Sequence, residues 1–155
     1  MGVRRLVVVD VAGSIDPAVT TGKSVAVEAA IAADGTSPHY GANGLVLPDA
    51  ALAFALRDRL SQAGLPFVTG RVWTTDAVFR ETPSLIAKYR SQGAVLVDLE
   101  TAAVLAASAA LGIEAAAALV AADELYDAWH PPRDMRPIQA VLQSLVAEAA
   151  ACLRA

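Results

Sequence analysis

Gly93-Ala-Val-Leu-Val-Asp98-Leu-Glu100-Thr-Ala-Ala-Val-Leu-Ala-Ala107 decides how this chain folds. The apolar run 94–97 reads as the body of a buried strand reaching residue 99. Asp98 and Glu100 stand at its end, and an alanine-rich helix over 101–111 begins at once. Acids at the C-terminal end of a strand occupy the place where α/β sheets put ligands. A second apolar run, 115–122, ends in Asp123-Glu124. Two strand ends that deliver acids to one sheet edge predict a single polar site.

Working outward, strands are predicted at 6–9, 24–31 and 66–73, in addition to 94–99 and 115–122. A helix is predicted from Pro48-Asp49 to residue 63, because Leu52, Leu56 and Leu60 recur every four residues while Arg57, Asp58 and Arg59 take the wet side. Gly64 ends it. Thr82-Pro83-Ser84 opens a helix to residue 91, with proline suited to the first turn. A closing helix is expected over 138–153. Turns and loops fall at 13–17, 34–44 and 126–137, the last with three prolines. The alternation of strand and helix predicts an α/β sheet, at least partly parallel. Residues 1–155 are expected to form a single domain.

Composition excludes several classes. The net charge of −4 argues against a nucleic-acid partner, which needs a basic face. The alanine run 101–122 is broken by Gly112 and Glu114, so it predicts helix then strand rather than a membrane span. The charged start at Arg4-Arg5 precedes too short an apolar run for a signal peptide. One cysteine, Cys152, allows no internal disulfide and fits a reducing cytoplasm. Only two histidines are present, His39 and His130, far apart and with no matching cysteines, so no metal or other cofactor is expected.

Val97-Asp98-Leu99-Glu100-Thr101-Ala102-Ala103, with its strand-then-small-residue-helix setting, resembles the nucleoside phosphorylase superfamily, whose members read Val-Glu-Met-Glu or Val-Asp-Met-Glu there. Val120-Ala121-Ala122-Asp123 is similar to the family's Val-Ser-Asp strand end. Asp34-Gly-Thr-Ser-Pro-His-Tyr40 and Trp73-Thr-Thr-Asp76-Ala-Val-Phe79-Arg-Glu81 also fit, and the ordered matches cover nearly the whole chain. The resemblance implies a phosphorylase-like α/β sandwich with a mixed sheet flanked by helices. It also implies that the family's N-terminal strands, with their phosphate loop, are missing. Val8-Val9-Asp10-Val11-Ala12-Gly13 departs from the family's Arg-Val-Gly-Ser/Thr-x-Gly. Valine replaces the arginine and the hydroxyl, and aspartate replaces a glycine; an acid there repels phosphate. The missing block would uncover a sheet edge, which predicts a homo-oligomer or a chain that supplies the absent part.

The resemblance also assigns candidate residues. Glu100, with Leu99 beside it, would bind the ligand by accepting hydrogen bonds from ribose hydroxyls, as an ionised carboxylate suits a vicinal diol; otherwise Glu100 is a helix N-terminal acid. Asp123 would be the catalytic acid that protonates a departing purine, or else a loop cap. Arg136 stands at the spacing where purine enzymes pair an arginine with that acid, or is a solvated loop arginine. Val78 and Phe79 occupy the base-stacking region, and Arg80-Glu81 either reads the base edge or starts a helix. His39 could hydrogen-bond the ligand, and His130 could gate the pocket. Asp76 is expected to be structural.

Three functions follow from these expectations. The chain could bind a nucleoside-like molecule and cleave its N-glycosidic bond, by hydrolysis rather than phosphorolysis. It could be a rebuilt scaffold acting on a non-nucleoside metabolite in specialised biosynthesis, with Asp10, Asp123, His39 and His130 as acid–base candidates. It could be a non-catalytic subunit of a complex.

Overall fold

The computed structural model describes residues 2–154. Six strands form one sheet in the order β3-β2-β4-β5-β1-β6. They are β1 (Arg5–Ser14), β2 (Ser24–Ala33), β3 (Gly44–Val46), β4 (Phe67–Thr75), β5 (Ala94–Asp98) and β6 (Glu114–Glu124). The pairs β2–β4, β4–β5 and β1–β6 are parallel, whereas β2–β3 and β1–β5 are antiparallel. A further antiparallel pairing of β2 with β6, from Ser24↔Val120 to Ala26↔Ala118, closes the sheet on itself. The result is a mixed α/β sheet flanked by helices α1 (Ala50–Gln62), α2 (Pro83–Ser91), α3 (Thr101–Ala110) and α4 (Arg136–Arg154).

Burial of β6 on both faces explains its unbroken apolar run. Ala115, Ala117, Leu119 and Ala121 share one core cluster with Leu105 and Ala106 of α3. Ala116, Ala118 and Val120 join a second with Leu52, Leu56 and Leu60 of α1 and Ile138 and Leu145 of α4. β1 divides in the same way, with Leu6 and Val8 on the first side and Val7, Val9 and Val11 on the second. Alanine is the right size here: it lets two helical layers approach a sheet closely with few voids. A third cluster stacks Trp73 on Tyr89 of α2, ring centroids 4.3 Å apart, beside Ile15, Ile86 and Val97.

The predicted helices agree with these elements to within two residues at each end. Asp49 caps α1, its Oδ1 accepting the Leu52 N–H at 2.8 Å, and Gly64 follows at φ +67°, a left-handed position suited to glycine. Three expectations are corrected. The strand predicted at 6–9 continues through Asp10 to Ser14, since Val11 and Ala12 keep pairing with β6, and the turn expected from residue 13 starts after Ser14. The loop expected at 34–44 holds a 3-10 turn, Ser37–Tyr40, nucleated by Asp34, whose carboxylate accepts both the N–H and the hydroxyl of Ser37. The short edge strand β3 was not predicted, because three residues carry no periodicity. Asp76, expected to be structural, accepts the Gly35 N–H at 2.9 Å and so ties the segment after β4 to that loop.

One feature of the sheet makes room for a site. β1 and β5 pair only through Gly13↔Val97 and Ser14↔Leu96, after which they diverge. Following that register past its last pair would set Asp10 opposite Glu100, with a gap between them in place of a ladder.

Candidate functional site

The gap opens into a cleft of about 480 Å³, a volume suited to a small molecule. Its walls are the end of β1 from Asp10 to Gly13, the β5–α3 junction from Val97 to Glu100, and the end of β6 from Ala122 to Leu125. Val78 and Glu81 close one side, and Pro132 and Met135 of the following loop close another. Five carboxyl groups face this space: Asp10, Glu81, Asp98, Glu100 and Asp123. No lysine, arginine or histidine lines it.

Asp98 is the buried anchor, 5% exposed. Its Oδ1 accepts the Thr74 hydroxyl at 2.6 Å, and its Oδ2 accepts the Thr101 N–H at 3.1 Å. The Thr74 oxygen in turn accepts the Ala102 N–H at 2.9 Å. Two of the unpaired N–H groups in the first turn of α3 are thus satisfied by neighbouring strands. Burial raises the Asp98 pKa; the hydrogen bonds from Thr101 and Thr74 oppose that rise, and the Asp10 charge adds to it.

Glu100 occupies the N-cap position of α3, yet its side chain makes no cap hydrogen bond. Asp98 and Thr74 do that work, so the Glu100 carboxyl is free to face the cleft. Burial is the main force on it and pushes its pKa up to about 7, reinforced by the Asp98 charge and by a hydrogen bond and charge from Asp10. Any stabilising pull of the helix dipole is therefore outweighed.

Asp123 lies across the cleft, just past a register shift between β1 and β6 that leaves Ala122 unpaired. Such bulges re-aim the side chain that follows. Gly13 sits directly opposite: a Cβ there would meet Leu125, and would lie 3.1 Å from Asp123 Oδ1 and 3.2 Å from Val97. Only glycine leaves Asp123 its place. The other carboxylate oxygen, Oδ2, accepts the indole N–H of Trp129 at 2.7 Å. Glu81, half-buried near the start of α2, has its pKa pushed up to about 7 by burial and then by the Asp123 charge.

Of the residues expected at the site, Glu100, Leu99, Asp123 and Val78 meet at this cleft. Three do not. Arg136 pairs with Asp134 at 2.8 Å instead of Asp123, because the two share the exposed turn that opens α4; its guanidinium is 87% exposed. Phe79 follows Val78 in a 3-10 turn, Val78–Arg80, that points it outward, 98% exposed. His39 is exposed on the 3-10 turn after β2 and lines no part of the cleft. His130, considered as a gate, pairs with Asp127 at 2.9 Å in a neighbouring depression. Sequence reasoning named Glu81 only as a base-edge reader or helix start, and it passed over the Trp129 contact altogether. A tryptophan six residues past an acid carries no spacing rule. Among the described residues there is no group of three side chains that could hold a metal ion.

The chain is thus an α/β sheet flanked by helices, with an acid-lined cleft at the ends of its strands. The chain belongs to the phosphorylase superfamily, whose sequence model matches residues 1–155. An uncharacterised protein of Acanthamoeba polyphaga mimivirus is 30% identical over 125 residues, which is 80% of this chain and 48% of that protein. Among solved structures, the P. knowlesi homologue of P. falciparum PNP superposes with a TM-score of 0.80 at 16% identity, over 99% of this chain and 64% of that one. The AMP nucleosidase of Bacteroides thetaiotaomicron gives a TM-score of 0.76 at 22% identity, over 97% and 61%. These structural likenesses show a shared fold. The chain spans about half the length of that curated relative and under two thirds of either solved chain. No helix among the described residues is long and apolar enough to cross a membrane.

Proposed function

We propose that the cleft binds a nucleoside-like molecule and cleaves its N-glycosidic bond, with water as the nucleophile. The observation that carries this reading is the placement of Glu100, free of capping duty, across one cleft from Asp123 and Glu81. Glu100 accepts hydrogen bonds from the sugar hydroxyls, and Leu99 and Val78 supply apolar contact. Asp123 and Glu81 form the base-side pair, where a leaving base needs a proton. The nucleosidase name of one structural neighbour accords with hydrolysis. So does a lining with five acids and no cation, which repels orthophosphate.

Base release from a panel of purine and pyrimidine nucleosides, with and without phosphate, tests the reading. Release at the same rate in both conditions is the expected result. Release only with phosphate would overturn hydrolysis. No release in either condition would leave a rebuilt scaffold or a non-catalytic subunit as the function.

We also propose that a second copy of this chain covers the cleft mouth. Val78, Phe79, Leu99, Trp129 and Met135 are exposed apolar side chains on the segments around the mouth, and such a patch marks an interface. Light scattering on the purified chain is expected to give a mass at least twice 15.9 kDa. A monomer at micromolar concentration would refute it.

A further inference from the structure

We propose that Glu81, not Asp123, carries the proton delivered to the leaving base, and that Asp123, held by Trp129, is the positioning charge beside it. This rests on the nucleosidase reading above and assigns its acid.

The two carboxyls differ in what holds them. Asp123 Oδ2 is engaged by the Trp129 indole at 2.7 Å, and Oδ1 lies over Gly13 where no Cβ fits. An indole N–H can only donate, so this contact uses Asp123 as an acceptor. The loop that carries Trp129 is closed by Glu124 and His130, which exchange backbone hydrogen bonds of 3.1 and 2.8 Å. Arg136, the cation that would otherwise partner Asp123, is bound to Asp134.

Glu81 has the opposite setting. It lines the same cleft, half-buried, and only burial and the Asp123 charge act on it, pushing its pKa up to about 7. The other charged groups facing the cleft are Asp10 on β1 and Asp98 and Glu100 at the end of β5. All are acids, so none offers Glu81 a counter-charge. A carboxylic acid that is still protonated near neutrality, beside a fixed anion, is the arrangement that suits a general acid.

The step balances as a hydrolysis. The C–N bond electrons leave with the base, and the base takes the Glu81 proton. A water oxygen forms the new bond to the sugar carbon, and the surplus proton of that water restores Glu81.

The test is the pH dependence of purine release by the wild-type chain, Glu81→Gln and Asp123→Asn. Wild-type release is expected to peak near pH 7, because Glu81 must keep its proton while Glu100 must have lost its own, and to fall as pH rises further. Glu81→Gln is expected to lose about 100-fold at pH 6 and to lack the alkaline fall. Asp123→Asn removes the charge that helps keep Glu81 protonated, so its alkaline fall is expected at lower pH than in the wild type. If Asp123→Asn abolishes release at every pH while Glu81→Gln keeps the wild-type profile, the assignment is overturned and the nucleosidase reading stands. If the wild-type chain releases no base at any pH, the nucleosidase reading itself is overturned, and the assignment with it.

Discussion

Replacing Glu100 with alanine is expected to lower kcat/KM for base release about 100-fold while leaving the fold intact. Each hydrogen bond to an ionised group is worth roughly 1.5–3 kcal/mol. Above pH 7, where Glu100 is ionised, two sugar hydroxyls bound by its carboxylate therefore contribute about 3 kcal/mol, and each 1.36 kcal/mol is tenfold in rate. Glu100→Gln retains one acceptor oxygen and should fall between. Stability gives an independent check, because Glu100 makes no cap hydrogen bond. Its pKa rises on folding to about 7, from an ordinary carboxyl value near 4.5. A raised carboxyl pKa means that the folded state resists ionisation. The wild-type protein therefore loses stability as pH climbs from the ordinary value through about 7, and Glu100→Gln should lose less. The variant is expected to melt with the wild type at pH 4 and above it at pH 8. Unchanged kcat/KM in Glu100→Ala would remove Glu100 from the site. A variant that melts lower at both pH values would mean that the carboxylate serves α3 after all.

How much of this site could be read from sequence depended on whether residues were tied to local periodicity. The 93–107 stretch announced its strand, helix and two acids, because an apolar run, a charge and an alanine helix follow one another without interruption. Asp123 was legible for the same reason at the end of β6. What could not be read was decided across the sheet. The early divergence of β1 and β5, which creates the cleft, is a tertiary event and leaves no trace in either strand. The partner of Asp123 was expected to be Arg136 from spacing alone. Spacing does not show that Asp134, two residues away, takes that guanidinium at far lower entropic cost. Phe79 and Val78 were expected to act together, yet consecutive residues in a 3-10 turn point in different directions, and only Val78 reaches the cleft. Asp10 was read as an acid in the wrong place for phosphate. Its position opposite Glu100 sets a second acid beside that carboxyl, which no sequence spacing of ninety residues could indicate.

Thr74→Val should cost about 3 kcal/mol of stability, more than its size suggests. The substitution preserves shape and removes one hydroxyl from a site that is fully buried. That hydroxyl has two jobs: it donates to Asp98 at 2.6 Å and accepts the Ala102 N–H at 2.9 Å. Its loss leaves a buried amide unpaired, at roughly 1–3 kcal/mol, and takes a charge-assisted hydrogen bond from Asp98. For a chain of this length the melting temperature should fall by roughly 6–12 °C. Thr74→Ser keeps the hydroxyl and loses only a methyl, so a cost of about 1 kcal/mol is expected. The consequence reaches function because the same hydroxyl anchors the first turn of α3, the turn that sets the direction of Glu100. Thr74→Val should therefore lose base release at temperatures where it is still fully folded, whereas Thr74→Ser should retain it. Equal melting of the two variants would show that the methyl, not the hydroxyl, holds β4 to α3. Glu100 would then be positioned by packing alone, and Asp98 would be a buried acid whose proton, rather than its partners, keeps it tolerable.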